Sequence, residues 1–141
     1  MRPAIPLLSH VAALVALAAS VSPNAAAAEL DGSRNLVCAA VNVVACTEGP
    51  GCLQGLASSF GLPEFIVMDF QGKEVRAHAE AGLTHVSPFK NVEKSNTQLI
   101  VQGVENGHGW SISIDRRSGR MSTSLAGETV SYMIFGACTA P

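Results

Sequence analysis

The sequence predicts an all-β domain: an antiparallel meander of about eight strands, stapled by disulfides, that forms a small barrel or a strongly curved sheet. Three observations predict it. Residues 99–138 alternate apolar and polar side chains between three turn signals. The registers those turns impose place the apolar residues of every strand on one face. Four cysteines follow an N-terminal stretch laid out like an export signal, the setting in which small domains are cross-linked.

Asn106-Gly107 marks the first turn, because a type I′ hairpin needs positive φ at both central residues. It predicts Gly103 opposite Trp110, Val101 opposite Ile112 and Leu99 opposite Ile114. Ile100 opposite Ser113 and Gln102 opposite Ser111 fall on the other face. Gly103 leaves room for the indole. The loop Arg116-Arg117-Ser118-Gly119 is the second turn, with Gly119 as its left-handed residue. It predicts Asp115 facing Arg120 as opposite charges, then Ile114–Met121, Ile112–Thr123 and Trp110–Leu125. Gly127-Glu128, read as a two-residue type II′ turn, predicts Leu125–Val130, Thr123–Tyr132 and Met121–Ile134. Trp110, Met121 and Tyr132 thus share the apolar face. If the sheet closes, they are candidates to line a cavity.

The earlier segments are less regular. Leu36–Cys46 is rich in Val and Ala. Its spacing also fits a helix, and the Val content and flanking cysteines favour a strand. Leu53–Pro63 reads as a connector with room for one short helical turn. Phe65–Asp69 and Lys73–Ala79 are expected to form a hairpin around the loop Phe70-Gln71-Gly72. Gly72 takes the bulge position there, pairing Asp69–Lys73, Val67–Val75 and Phe65–Ala77. Leu83–Glu93 is a further strand, bent or set at an edge by Pro88, and Lys94-Ser95-Asn96 turns into the meander.

Residues 1–28 have the order of a cleavable signal peptide: Arg2, an apolar run from Val11 to Val21 too short to span a bilayer, and the small residues Ala25–Ala28. Cleavage leaves 29–141 as a single all-β domain. The expected address is periplasmic or secreted, and no later segment predicts a membrane span. A net charge of −2 without a basic block argues against nucleic acid or a polybasic membrane contact.

Cys38, Cys46, Cys52 and Cys138 are the only cysteines and allow three pairings. The loop Cys46-Thr47-Glu48-Gly49-Pro50-Gly51-Cys52 is tight and carries Gly and Pro, which favours Cys46–Cys52. Cys38–Cys138 remains, and would tie the first strand to the last. Paired zinc-ligand spacing is missing, so oxidation is the better reading.

No catalytic, metal or cofactor motif stands out. His78, His85 and His108 occur outside any His-Glu-x-x-His or similar context, and Asp69, Glu74 and Glu80 give no sign of convergence. Arg116, Arg117, Ser118, Gly119 and Arg120 gather at one hairpin tip. They form a solvated turn or a loop that meets an acidic partner.

The strings Leu36-Val37-Cys38, Leu62-Pro63-Glu64-Phe65, Val104-Glu105-Asn106-Gly107, Gly109-Trp110-Ser111, Ser118-Gly119-Arg120-Met121 and Phe135-Gly136-Ala137-Cys138 resemble a group of small exported proteins of Gram-negative bacteria with no assigned activity. The resemblance covers nearly all of 29–141. It implies export and structural cysteines, and no functional residue. At the level of fold the chain is also similar to periplasmic lysozyme inhibitors, which are disulfide-linked barrels presenting a Ser-Gly loop. Ser118-Gly119 is the matching pair here, with Met121 where those proteins carry an aromatic residue. The expected function is therefore a non-enzymatic binding or inhibitor-like protein with a periplasmic or secreted protein partner. The alternative is a carrier of a small apolar ligand inside a barrel. No cofactor is expected.

Overall fold

A computed structural model describes residues 30–49, 51–77 and 85–141. The leader-like stretch 1–28, His78, Glu80 and the predicted strand residues beyond Ala77 and before His85 lie outside these residues. The described strands are β1 (Leu36–Thr47), β2 (Cys52–Gly55), β3 (Phe65–Asp69), β4 (Glu74–Ala77), β5 (Val86–Lys94), β6 (Gln98–Glu105), β7 (His108–Asp115), β8 (Arg120–Ala126) and β9 (Val130–Thr139). All pairings are antiparallel. β9 returns to β1, so every strand except β2 joins one closed eight-stranded barrel.

β1 is the strand that closes the ring. Its first half, Leu36–Ala39, pairs with β3, and its second half, Val43–Cys46, pairs with β2. β9 runs along its other side throughout, with a bulge between Ala40 and Asn42. Cys38 stands directly opposite Cys138 on β9, and Cys46 directly opposite Cys52 on β2. Both pairs are disulfides, with Cα–Cα separations of 4.0 and 4.2 Å. Such cross-links form and persist in oxidising compartments. Among the described residues no helix is long and apolar enough to cross a membrane.

The β6–β7 and β7–β8 registers match the sequence expectation at every strand pair except Asp115–Arg120, which is not formed. Asn106, Gly107 and Gly119 supply the positive φ values of 47°, 77° and 72° that those turns require. Two other hairpins differ. The β8–β9 turn holds four residues, closed by the Gly127 amide on the Val130 carbonyl. Leu125 therefore faces Tyr132, Thr123 faces Ile134 and Met121 faces Gly136. A slip of two preserves which side chains point inward. The β3–β4 loop also holds four residues, Phe70 to Lys73. Asp69 faces Glu74, Met68 faces Val75 and Ile66 faces Ala77. This one-residue correction turns Met68 and Ile66 inward in place of Val67 and Phe65. Its cause is the Asp69 carboxylate, which accepts the Gln71 and Gly72 amides at 3.1 and 2.9 Å, leaving Lys73 to take the left-handed conformation at φ 54°. Leu53–Pro63 is likewise more than a connector, since it begins inside β2 and then forms a 3₁₀ turn at Ala57–Phe60. Pro88 lies within β5, in the interior of the ring beside a bulge between Phe89 and Asn91, and not at an edge.

The barrel has two unlike ends. At the lower end Leu36, Met68, Leu99 and Ile114 are fully buried. The segment before β1 crosses beneath them. Leu30 is buried there, Lys94 Nζ lies 2.5 Å from Asp31 Oδ2, and Arg34 donates to the Pro141 carbonyl at 2.8 Å. At the upper end the inward side chains become small.

Candidate functional site, a cavity in the upper barrel

Ala40, Ala77, Ser87 and Thr123 face inward at the upper end, and beside them the barrel holds an open-mouthed cavity of about 320 Å³. Ile66, Val75, Ile112, Met121, Leu125 and Ile134 give it an apolar wall, and Cys38 of the closing disulfide also lines it. Trp110 forms one side. Its indole lies over Gly103, where a Cβ would come within 2.2 Å of Trp110 Cζ2 and 2.7 Å of the Pro88 carbonyl oxygen. The ring thereby reaches across β6 to β5, and Nε1 donates to Ser87 Oγ at 2.8 Å. Phe89 packs edge-on against Trp110 and Phe70 edge-on against Phe89, at centroid distances of 6.4 and 5.4 Å. This aromatic row ties the cavity wall to the lower core.

The mouth is polar. Glu64, His85 and Asn106 are exposed lining residues, and Glu105 and His108 are half-buried. His85 Nδ1 lies 3.5 Å from Glu105 Oε1. His108 Nδ1 lies 3.1 Å from the Asn106 carbonyl oxygen, and its ring rests on Gly127, where a Cβ would approach within 2.4 Å. Among the described residues no Lys or Arg lines the cavity. Inside, Thr123 Oγ1 is buried and has no hydrogen-bond partner among the described residues. Among the described residues no group of three His, Cys, Asp or Glu side chains is placed to hold a metal ion.

No protein-family model, curated protein or solved structure matches the chain.

Of the predicted cavity residues, Trp110 and Met121 line the space, whereas Tyr132 is not among the lining residues. The longer β8–β9 turn places Tyr132 opposite Leu125, and its ring packs edge-on against Phe60 of the 3₁₀ turn at 6.3 Å. The loop Arg116–Arg120 sits at the other end of the barrel. There the Asp115 carboxylate accepts the Ser118 amide at 2.8 Å, the Ser118 hydroxyl at 2.9 Å and the Arg117 amide at 3.1 Å. The Ser118 bonds, first its amide and then its hydroxyl, hold the Asp115 carboxyl below its ordinary range. These bonds replace the expected Asp115–Arg120 pairing. Arg116 donates to the Ser95 carbonyl at 2.6 Å, and Gly119 is buried, while Arg117, Ser118 and Arg120 are exposed.

Sequence reasoning did not single out Ser87, Thr123, His85 or the connector residues Gly61–Glu64 that meet at this cavity. The signal available for Thr123 was its inward parity on β8, which sets a polar residue on an apolar face. No comparable signal existed for Ser87, because the register of its strand depends on the Phe89–Asn91 bulge.

Proposed function

We propose that this chain is an exported, non-enzymatic binding protein that takes a small, mainly apolar ligand into the upper end of its barrel. The observation that supports it is the 320 Å³ space walled by Trp110 and aliphatic side chains. That volume falls in the range of small-molecule sites, which favour barrel mouths and apolar linings with few polar groups. Export accords with the signal-like residues 1–28 and the two disulfides. N-phenyl-1-naphthylamine is a suitable neutral probe. It is expected to brighten on binding and to quench Trp110, the only tryptophan, and Ala77→Phe should abolish both signals with the fold retained by circular dichroism. Absence of both signals at saturating probe overturns the reading.

A second reading, contact with an acidic protein partner through Arg117 and Arg120, draws on the exposure of those side chains at the tip of a loop fixed by Asp115. It predicts that Arg117→Glu with Arg120→Glu removes a partner captured from periplasmic extract without affecting the probe.

A further inference from the structure

We propose that the cavity selects neutral lipophilic molecules carrying one hydrogen-bond-accepting oxygen, such as a ketone, an ester or an ether, and that the hydroxyls of Ser87 and Thr123 read that oxygen. This rests on the ligand-binding reading above and specifies its ligand.

Ser87 is 5% exposed and Thr123 7% exposed, and both line the cavity. The indole of Trp110 can only donate, so its bond to Ser87 Oγ uses a lone pair and leaves the serine proton free. No acceptor for that proton occurs among the described residues. Thr123 Oγ1 has no hydrogen-bond partner among the described residues. A buried hydroxyl without a partner is unfavourable, and Val in place of Thr123 would remove the cost at nearly the same volume. Oγ1 is covered while the residue lines the space, so carbon forms the lining surface. A change of χ1 rotamer exchanges methyl and hydroxyl and turns the donor inward.

Two donors on an otherwise apolar wall complement an acceptor. An ammonium ion could donate to the hydroxyl lone pairs, but two neutral hydroxyls do not offset the cost of taking its charge out of water. A carboxylate is also disfavoured, because an ion taken out of water needs a countercharge. The described lining residues include Glu64 and Glu105 and no Lys or Arg.

The test compares 2-octanone with 2-methyloctane, in which a methyl group replaces the carbonyl oxygen, and with octanoate at pH 7. Binding is followed on the full domain by the NMR shifts of the Trp110 indole N–H and the Thr123 amide, with the alkane delivered through the vapour phase. The ketone is expected to bind about tenfold more tightly than the alkane, the value of one good neutral hydrogen bond, and octanoate more weakly than the ketone. Thr123→Val should remove most of the ketone preference and keep or raise the melting temperature. Ser87→Ala strands the indole N–H, so Thr123→Val is the decisive variant. Equal affinity for ketone and alkane in the unaltered protein overturns this inference and leaves the ligand-binding reading standing. Octanoate binding as well as the ketone, or an unchanged ketone preference in Thr123→Val, also overturns it. No binding of either neutral probe overturns both.

Discussion

The two ends of the barrel are built from the same strands with the same alternation, yet one is filled and the other hollow. At the lower end the inward positions carry Leu36, Met68, Leu99 and Ile114, all fully buried. A cross-over segment and its ion pair cover them. At the upper end β1, β4, β5, β6 and β8 contribute the small residues Ala40, Ala77, Ser87, Gly103 and Thr123, and Trp110 is the largest side chain beside the space. Strand number sets the width of a barrel, and side-chain volume decides whether the interior is core or cavity. In this molecule the packed core and the hollow occupy opposite ends of one scaffold.

The sharpest way to break that division is through the cross-links. Cys38–Cys138 spans 100 residues of sequence and Cys46–Cys52 spans 6. The chain-entropy model assigns about 4.7 kcal/mol to the long loop and about 2 kcal/mol to the short one. Urea unfolding should show the Cys38→Ala/Cys138→Ala variant losing far more stability than Cys46→Ala/Cys52→Ala. Comparable losses would mean that the barrel seam does not depend on its cross-link.

The next largest effect is expected at Gly119, which combines φ +72° with backbone contact. A Cβ there would lie 2.4 Å from the Cys138 carbonyl oxygen. Gly119→Ala should cost about 3 kcal/mol in thermal unfolding, since neither the left-handed conformation nor the clash relaxes cheaply. Gly107→Ala, at φ +77° with nothing near its Cβ, should cost only about 1 kcal/mol.

Core truncation sharpens the contrast by a similar amount. Leu99→Ala removes a fully buried side chain at the filled end and should cost about 3 kcal/mol. Leu125→Ala, half-buried beside the cavity, should cost about 1 kcal/mol, because little packing is lost next to existing space. Parallel urea titrations compare the two. Equal losses would show the upper end to be as tightly packed as the lower.

Acid gives the smallest and most selective effect. The Lys94 hydrogen bond, and then the Ser33 hydrogen bonds, hold the Asp31 carboxyl well below its ordinary value of 3.8, and Ser118 does the same for Asp115. A lowered folded-state value adds stability that is present above the unfolded value and lost as pH falls through the folded one. Melting temperature should therefore drop as pH is taken below about 4. Asp31→Asn should flatten that acid limb without shifting apolar probe binding at pH 7.

The legible parts of the fold were those fixed by local chemistry. Asn106-Gly107 and Gly119 sit where the backbone must turn left-handed, so the turn and both registers beside it could be read directly. Gly72 and Gly127 misled because glycine permits such a turn without requiring it. Near Gly72 the Asp69 carboxylate organises the loop, and Lys73 takes the positive φ. β2 offered no alternation to read, with Cys52, Leu53 and Gln54 all exposed. The cavity was only partly visible. Parity placed Trp110 and Met121 on the inner face. Their height relative to Ala77, Ser87 and Tyr132 depends on the stagger of strands distant in sequence, which no local pattern encodes.

The seam between β1 and β9 also bears on how the chain reaches this structure. β6 to β9 are joined by turns of a few residues and can pair soon after collapse. The seam must bring together residues such as Val37 and Thr139, and the entropy of closing so long a loop comes due before any seam contact offsets it. High contact order of this kind slows folding. The filled end, which holds the most buried side chains of the finished molecule, needs both ends of the domain and so completes last. Kinetic φ-values near zero at Leu36 and high at Ile112 would be its signature.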